Sequence, residues 1–300
     1  MSFFQTFVNY AKMVKFSHTL FALPFAGLSV VLALLETPHT GQELIKRILL
    51  VLVCMVSARN AAMGFNRLVD EVYDKKNPRT ANRELPSGIL KKSSVKNFTI
   101  FFSLVFLISC YFISLQIFFL SFLALGIILF YSYTKRFTWL CHYILGLGIG
   151  IAPTGAWLSV NDKWNLVPIL WSIGLMFHIS GFDILYSTQD RDFDEKEGLH
   201  SIPVRFGISS ALWIARFNHI FSTILLFLGG YFANLGWIYY IFLAIISLLF
   251  FVEHTLVSPT DLSKVPIAFF HINASISIIL FLGIFLDKYS LILDAIRSKF

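Results

Sequence analysis

Charge is what this 300-residue sequence has least of: Asp, Glu, Lys and Arg together make up only 14% of it. That scarcity excludes a charge-rich disordered chain. Combined with 57% hydrophobic residues it also excludes an ordinary soluble domain, which would leave too much apolar surface in water. Acids are the rarer sign, 17 against 24 Lys and Arg, for a net charge of +7. Cysteine is nearly missing. Cys54, Cys110 and Cys141 lie in or beside apolar runs and form no Cys-x-x-Cys pair, so neither a disulfide framework nor a thiolate metal centre is expected. No cleavable signal pattern precedes the first apolar run, which reads as a retained membrane span.

What the chain has in quantity is apolar runs of about 20 residues, the length that crosses a hydrocarbon core of ~30 Å. Nine candidate spans follow: 16–35, 45–66, 97–114, 117–133, 140–160, 166–186, 211–231, 235–256 and 267–286. The stretch 98–133 is too long for one helix and is divided near Ser114 to Gln116, giving a tight helical hairpin. The expected class is therefore an all-α integral membrane protein, one polytopic domain over residues 1–300 with the lipid bilayer as its partner. The positive charge follows membrane topology rather than nucleic acid. With the N-terminus inside, sixteen Lys and Arg fall on the cytoplasmic side and six on the other, which places the C-terminus outside.

Against this acid-poor background, two acidic stretches stand out. Asn66, Asp70 and Asp74 recur every fourth residue, so each step drifts only about 40° on a helix and all three share one face. An offset of 120 residues maps them onto Tyr186, Asp190 and Asp194, which share a face with Asp183. Either stretch alone reads as a solvated helix end. Two of them, both expected at the cytoplasmic mouths of hydrophobic spans, point to one shared site. Hard cations such as Mg²⁺ favour oxygen donors of this kind and commonly arrive with substrate phosphates.

The surroundings fit an anionic partner. A polar stretch with Pro78, Pro86 and Gly88 interrupts the helical pattern within a cap loop expected at about 67–96, and a second is expected at about 187–210. Arg79 and Arg83 in the first present guanidinium forks suited to a diphosphate. The positive-inside rule alone would also enrich this loop in basic residues. Lys135 ends the fourth span, where interfacial anchoring and phosphate binding are both open readings. Arg59 lies seven residues before Asn66 on nearly the same face; an Arg inside a span is costly, which favours a polar cavity over snorkelling. The opening Lys15-Phe16-Ser17-His18 leaves His18 either interfacial or in contact with substrate.

On these residues the chain resembles the UbiA family of intramembrane aromatic prenyltransferases, in its 4-hydroxybenzoate polyprenyltransferase branch. The resemblance rests on Asn66-x3-Asp70-x3-Asp74 with the following Pro-Arg-Thr-Ala-Asn-Arg-x-Leu-Pro-Ser-Gly, on Asp183-x2-Tyr186-x3-Asp190-x3-Asp194, and on Lys-Phe-Ser-His-Thr-Leu-Phe-Ala-Leu-Pro at the start. It covers nearly the whole chain. It implies nine transmembrane helices around a central cavity in the inner (cytoplasmic) membrane, with the active site facing the cytoplasm. It implies Mg²⁺ held on a polyprenyl diphosphate by Asn66, Asp70, Asp190 and Asp194, assisted by Asp74, with Arg79, Arg83 and Lys135 on the diphosphate. Lys15, His18, Arg59 and Tyr186 are then candidates for the cavity or for a hydroxylated aromatic acid. Asp70 and Asp190 are catalytic in this scheme, and Asp183 or Asp190 is the base for the ring proton. Arg67 departs from the pattern, since many relatives carry Asp there. The loop from Ser187 to Gly207 resembles a subgroup serving menaquinone made by the futalosine route, whose acceptor is a dihydroxynaphthoate. The rival of another class is an ion-coupled membrane transporter, for which buried midmembrane carboxylates and discontinuous helices would speak.

Overall fold

In the computed structural model, residues 3–15, 23–37, 39–267 and 272–299 are described. The chain is helical: α1 (Phe3–Met13), α2 (Leu23–Glu36), α3 (Gly41–Lys76), α4 (Lys92–Ile113), α5 (Leu115–Thr134), α6 (Cys141–Asn161), α7 (Leu166–Ser187), α8 (Arg191–Lys196), α9 (Ile202–Phe232), α10 (Trp237–Leu256), α11 (Val265–Ile267), α12 (Asn273–Asp287) and α13 (Tyr289–Lys299). Among the described residues seven helices are long and apolar enough to cross a membrane, or eight if α12 and α13, bent by 70° to one another, count as one span. Of the first expected span only residues 23–35 are described, within α2, and the ninth overlaps α12.

The break between α4 and α5 falls where the sequence places it. Ser114 is extended, and its hydroxyl accepts from the Ile117 N–H, capping α5 in the only residue between the two helices. α3 runs further than the expected second span. Its 36 residues, at 1.5 Å each, reach about 54 Å, well beyond a ~30 Å hydrocarbon core. Asn66, Asp70 and Asp74 therefore ride on a continuous helix, and the first cap loop shortens to residues 77–91. The second is not one loop: a 3₁₀ turn at Thr188–Asp190 and α8 follow α7, and α9 begins at Ile202, kinked at Gly207, whose φ of 80° suits glycine.

α7 is the central span, packed between α6 and α9. α6 approaches it closely because it offers no side chain at two points. A Cβ on Gly146 would meet the Met176 carbonyl oxygen at 2.5 Å, and one on Gly150 the Ser172 carbonyl oxygen at 2.8 Å. Pro153 removes one helical N–H from α6, and Thr154 ties that region to α7 through Ser172 Oγ (2.7 Å) and the Pro168 carbonyl (3.1 Å). The main core, with Trp171, Leu175 and Ile179 of α7, meets α2, α10 and α12 there. At the end opposite the acidic stretches, buried Arg47 is held by Glu43 (3.0 Å), Asp162 (2.9 Å) and the Ser159 carbonyl (3.0 Å), which clamps α3 to α6.

Candidate active site

The two acidic stretches meet. Asn66, Asp70, Asp74, Asp183, Tyr186, Asp190 and Asp194 line one cavity of about 320 Å³ where α3, α7 and α8 come together with the 77–91 loop. Lys15, Arg59, Arg79, Arg83 and Lys135 line it as well. Of the residues singled out in the sequence, only His18 cannot be placed, since it lies outside the described residues.

The expected diphosphate cations are paired with the expected metal ligands. Arg79 forks Asp190 through Nε (2.8 Å) and Nη2, while its Nη1 reaches the Tyr186 hydroxyl at 2.6 Å. Arg83 donates to both oxygens of Asp74, at 2.7 and 2.9 Å. Lys135 Nζ lies 2.6 Å from the Asp194 carboxylate, which is almost fully buried. Burial pulls the Lys135 ammonium down, but the Asp194 carboxylate more than offsets it and leaves the group above its ordinary value. For Arg79, burial likewise opposes the charge and Asp190 restores it, raising the guanidinium above its ordinary value. Asn77, buried, adds an Nδ2–H to Asp190 Oδ1 at 3.1 Å and accepts the Arg79 N–H, so it holds the loop against α7's extension.

Asn66 and Asp70 form a different pair. The Asn66 amide donates to Asp70 Oδ2 at 2.7 Å and accepts from Arg67 at 3.3 Å. Arg67, the departure from the family pattern, is buried and directs its Nε to the Met13 carbonyl at 3.4 Å. Arg59 reaches the Lys15 carbonyl at 3.3 Å. Two α3 guanidinium groups thus hold the C-terminal end of α1, whose carbonyls carry partial negative charge. This seats Lys15 in the cavity at a left-handed φ of 46°. Burial, then the neighbouring Arg83, Arg67 and Arg79, push the Lys15 ammonium down to about 8. In all, seven Lys and Arg and five Asp line the cavity, an excess of two positive charges that favours an anionic ligand.

The polar cavity continues into an apolar one. A second space of about 590 Å³ among α3, α4, α5, α6 and α7 shares Arg59, Met63, Tyr131, Leu145 and Ile149 with the first. Arg59 stands at the junction, its Nε buried and without a partner. Of the 33 Phe, only Phe182 and Phe193 of the described residues line the polar cavity, so a wall of Phe rings does not surround the charged groups.

The donor set suits a hard divalent cation. Asn66 and the carboxylates offer only oxygen-bearing side chains, with no thiol or imidazole on those positions. Among the described residues no three His, Cys, Asp or Glu side chains converge to hold a metal by themselves.

The UbiA prenyltransferase family model matches residues 22–275. The chain belongs to the UbiA prenyltransferase family. It is 31% identical over 233 residues to 4-hydroxybenzoate octaprenyltransferase of Providencia stuartii, covering 76% of this chain and 79% of that one. The fold is similar to that of a UbiA homolog from Aeropyrum pernix K1, with TM-score 0.80 and 29% identity over 90% of this chain and 98% of that one. It is also similar to a UbiA homolog from Archaeoglobus fulgidus bound to DMAPP and Mg²⁺, with TM-score 0.68 and 20% identity over 95% of this chain and 99% of that one. The protein is thus an all-helical integral membrane prenyltransferase, which decides between transfer and transport in favour of transfer.

Three site residues escape a reading of the sequence. Asn77 sits in the expected cap loop without a pattern that separates it from any turn residue. Arg136, which donates to the Val69 carbonyl at 2.6 Å and stacks over Tyr73 and Tyr133, reads there only as one more basic residue. His142 lies near the start of the fifth expected span and carries no motif. Its partner, Asp183, is 41 residues away.

Proposed function

We propose that this prenyltransferase carries out Mg²⁺-dependent transfer of a polyprenyl group from its diphosphate to the carbon ortho to the hydroxyl of 4-hydroxybenzoate, as a step of ubiquinone-type quinone synthesis. The observation that carries the proposal is the joining of a cation- and carboxylate-lined cavity to a larger apolar one through Arg59. One end suits a diphosphate, the other an isoprenoid tail. The names of the relatives support the acceptor. We further place nine spans in the inner membrane with the N-terminus and the site on the cytoplasmic side, where sixteen of the loop Lys and Arg lie.

In this reading Asn66, Asp70, Asp190 and Asp194, with Asp74 beside them, hold Mg²⁺ on the diphosphate. When bound, the metal neutralises charge that grows on the leaving group. Arg79, Arg83 and Lys135 let go of their carboxylates and turn to the diphosphate oxygens, so that the released carboxylates meet the cation and the released cations meet the anion. The allylic C–O bond breaks with its electron pair on the diphosphate, stabilised by these fixed cations. The ring carbon ortho to the hydroxyl bonds to the allylic carbocation, and the ring proton leaves to a carboxylate. Asp190 is engaged by Arg79 and Asn77, whereas Asp183 faces the cavity with an imidazole as its partner; Asp183 is therefore the base in this scheme. Arg59 and Lys15 meet the acceptor's carboxylate between the two cavities, beside Tyr186. Enclosure within the membrane keeps water from capturing the carbocation.

The second reading keeps the chemistry and changes the acceptor to a dihydroxynaphthoate for menaquinone. It is favoured by the Ser187 to Gly207 stretch with its Glu-Gly-Leu-His-Ser-Ile-Pro-Val-Arg-Phe-Gly run. Membranes containing the protein, supplied with Mg²⁺ and a long-chain prenyl diphosphate, are offered 4-hydroxybenzoate and dihydroxynaphthoates in parallel and the products are read by mass. A prenylated benzoate is the expected product. A prenylated naphthoate alone replaces the first reading by the second, and no product from any acceptor overturns both.

A further inference from the structure

Of the five carboxylates in the polar cavity, Asp183 alone has no Lys or Arg within 4 Å among the described residues; its partner is His142. His142, the second residue of α6, is 1% exposed, while the Asp183 side chain is 25% exposed and lines the cavity. Nδ1 of the imidazole lies 2.7 Å from Asp183 Oδ2. Nε2 lies 3.3 Å from the backbone nitrogen of Ile202, the first residue of α9. An N–H in the first turn of a helix has no acceptor within its own helix and can only donate. Nε2 is therefore the acceptor, and the proton sits on Nδ1, where it is donated to Asp183. The Ser180 hydroxyl of α7 lies between the Met176 carbonyl (2.7 Å) and the His142 carbonyl (3.2 Å), so α6 and α7 are close at this point too. A carboxylate on α7 is thus oriented by a ring on α6, whose own orientation is set by the start of α9.

We propose that His142 is a positioning residue for Asp183. Its Nδ1–H engages Oδ2 and leaves Oδ1 of the same carboxylate for the aromatic acceptor. After the new C–C bond has formed, the C–H bond at that ring carbon breaks, its electron pair restores the aromatic ring and the proton passes to Asp183. No oxidant or reductant is involved. The inference rests on the prenyl-transfer reading above.

The bland alternative is that His142 merely caps α9, and two isosteric variants separate the roles. His142→Asn places its amide N–H near the Nδ1 position, keeping the bond to Asp183 and giving up Ile202. His142→Gln reaches the Nε2 position, keeping Ile202 and giving up Asp183. Purified protein in lipid is assayed for kcat and for the KM of the prenyl diphosphate, and binding of pyrophosphate with Mg²⁺ is measured by calorimetry to show that each variant is folded. The positioning role predicts that His142→Gln and His142→Leu lose about 10- to 100-fold in kcat, the usual cost of removing such an orienting partner, with KM and pyrophosphate binding little changed. His142→Asn retains most of kcat. Asp183→Asn with His142→Leu is no slower than Asp183→Asn alone, because the two residues act as a unit. Full activity in His142→Gln, a loss confined to His142→Asn, or losses that multiply in the double variant overturn the positioning role while leaving prenyl transfer intact. A wild-type protein that forms no product overturns both.

Discussion

Replacing Arg79 by Gln separates two roles proposed for one guanidinium, the pairing with Asp190 and the hold on the diphosphate. Arg79 forks Asp190, whose other described contact is the 3.1 Å bond from Asn77. The Asp190 side chain is 11% exposed and Arg79 is 32% exposed, so the pair is neither fully buried nor freely solvated. Removing one partner of a fully buried pair costs about 3–5 kcal/mol, and partial exposure of Arg79 reduces this to roughly 1–3 kcal/mol of stability. In the loaded site the same guanidinium is proposed to hold the diphosphate. A hydrogen bond to a charged group is worth ~1.5–3 kcal/mol, which at about 1.4 kcal/mol per tenfold predicts a fall of roughly 10- to 150-fold in kcat/KM for the prenyl diphosphate. The sign for the metal is opposite. With Arg79 gone, Asp190 is released to a cation, so Mg²⁺ without diphosphate binds Arg79→Gln more tightly than it binds the wild type. Calorimetric titration with MgCl₂, with and without pyrophosphate, measures this beside steady-state turnover. Undiminished kcat/KM, or weaker binding of Mg²⁺ alone, would refute the exchange of partners.

Other parts of the account are open to separate tests. Lys15, pushed down to about 8, is charged below that pH and neutral above it; the KM for the aromatic acid should therefore rise between pH 7 and 9.5, and Lys15→Met should raise KM at pH 7 and flatten the profile. Ala152 lines the apolar cavity; Ala152→Phe should raise the KM of a long-chain prenyl diphosphate severalfold and spare dimethylallyl diphosphate, and equal effects on both would contradict the tail assignment. Gly150→Val places a Cβ 2.8 Å from the Ser172 carbonyl oxygen, so overpacking between α6 and α7 should cost about 1–3 kcal/mol, visible as a lower midpoint in thermal unfolding.

The spacing of Asn66, Asp70 and Asp74 was enough to give one helical face, because a period near four is a local property of the chain. The same holds for the break at Ser114. Partners are another matter. Arg79 and Asp190 are 111 residues apart, and nothing local says that the proposed diphosphate cation closes on a proposed metal ligand. Arg47, near the start of the second expected span, counts in the sequence only as one more basic residue of the non-cytoplasmic side, yet it is buried against Glu43 and Asp162 because its guanidinium folds back between two helix ends. His142 gave no signal at all: one histidine at a span entrance is ordinary, and only the convergence of α6, α7 and α9 gives it two committed nitrogens. Element ends were also blurred. Polar residues suit both a helix that has left the membrane and a loop, so the extension of α3 to Lys76 looked like the start of the cap loop.

The central claim is that the two acidic stretches act as one metal–diphosphate site. Its most direct test is turnover by protein reconstituted in lipid vesicles, with long-chain prenyl diphosphate and the preferred acceptor, comparing the wild type with Asp70→Asn and Asp190→Asn and following product by mass. The account predicts product from the wild type that EDTA abolishes and Mg²⁺ restores, a loss of about 10²–10³-fold in kcat in each variant, as for removal of a group that stabilises developing charge, and weakened Mg²⁺ binding in the presence of pyrophosphate. Product that forms equally in EDTA, or variants that lose turnover while binding Mg²⁺ and pyrophosphate as the wild type does, would contradict it.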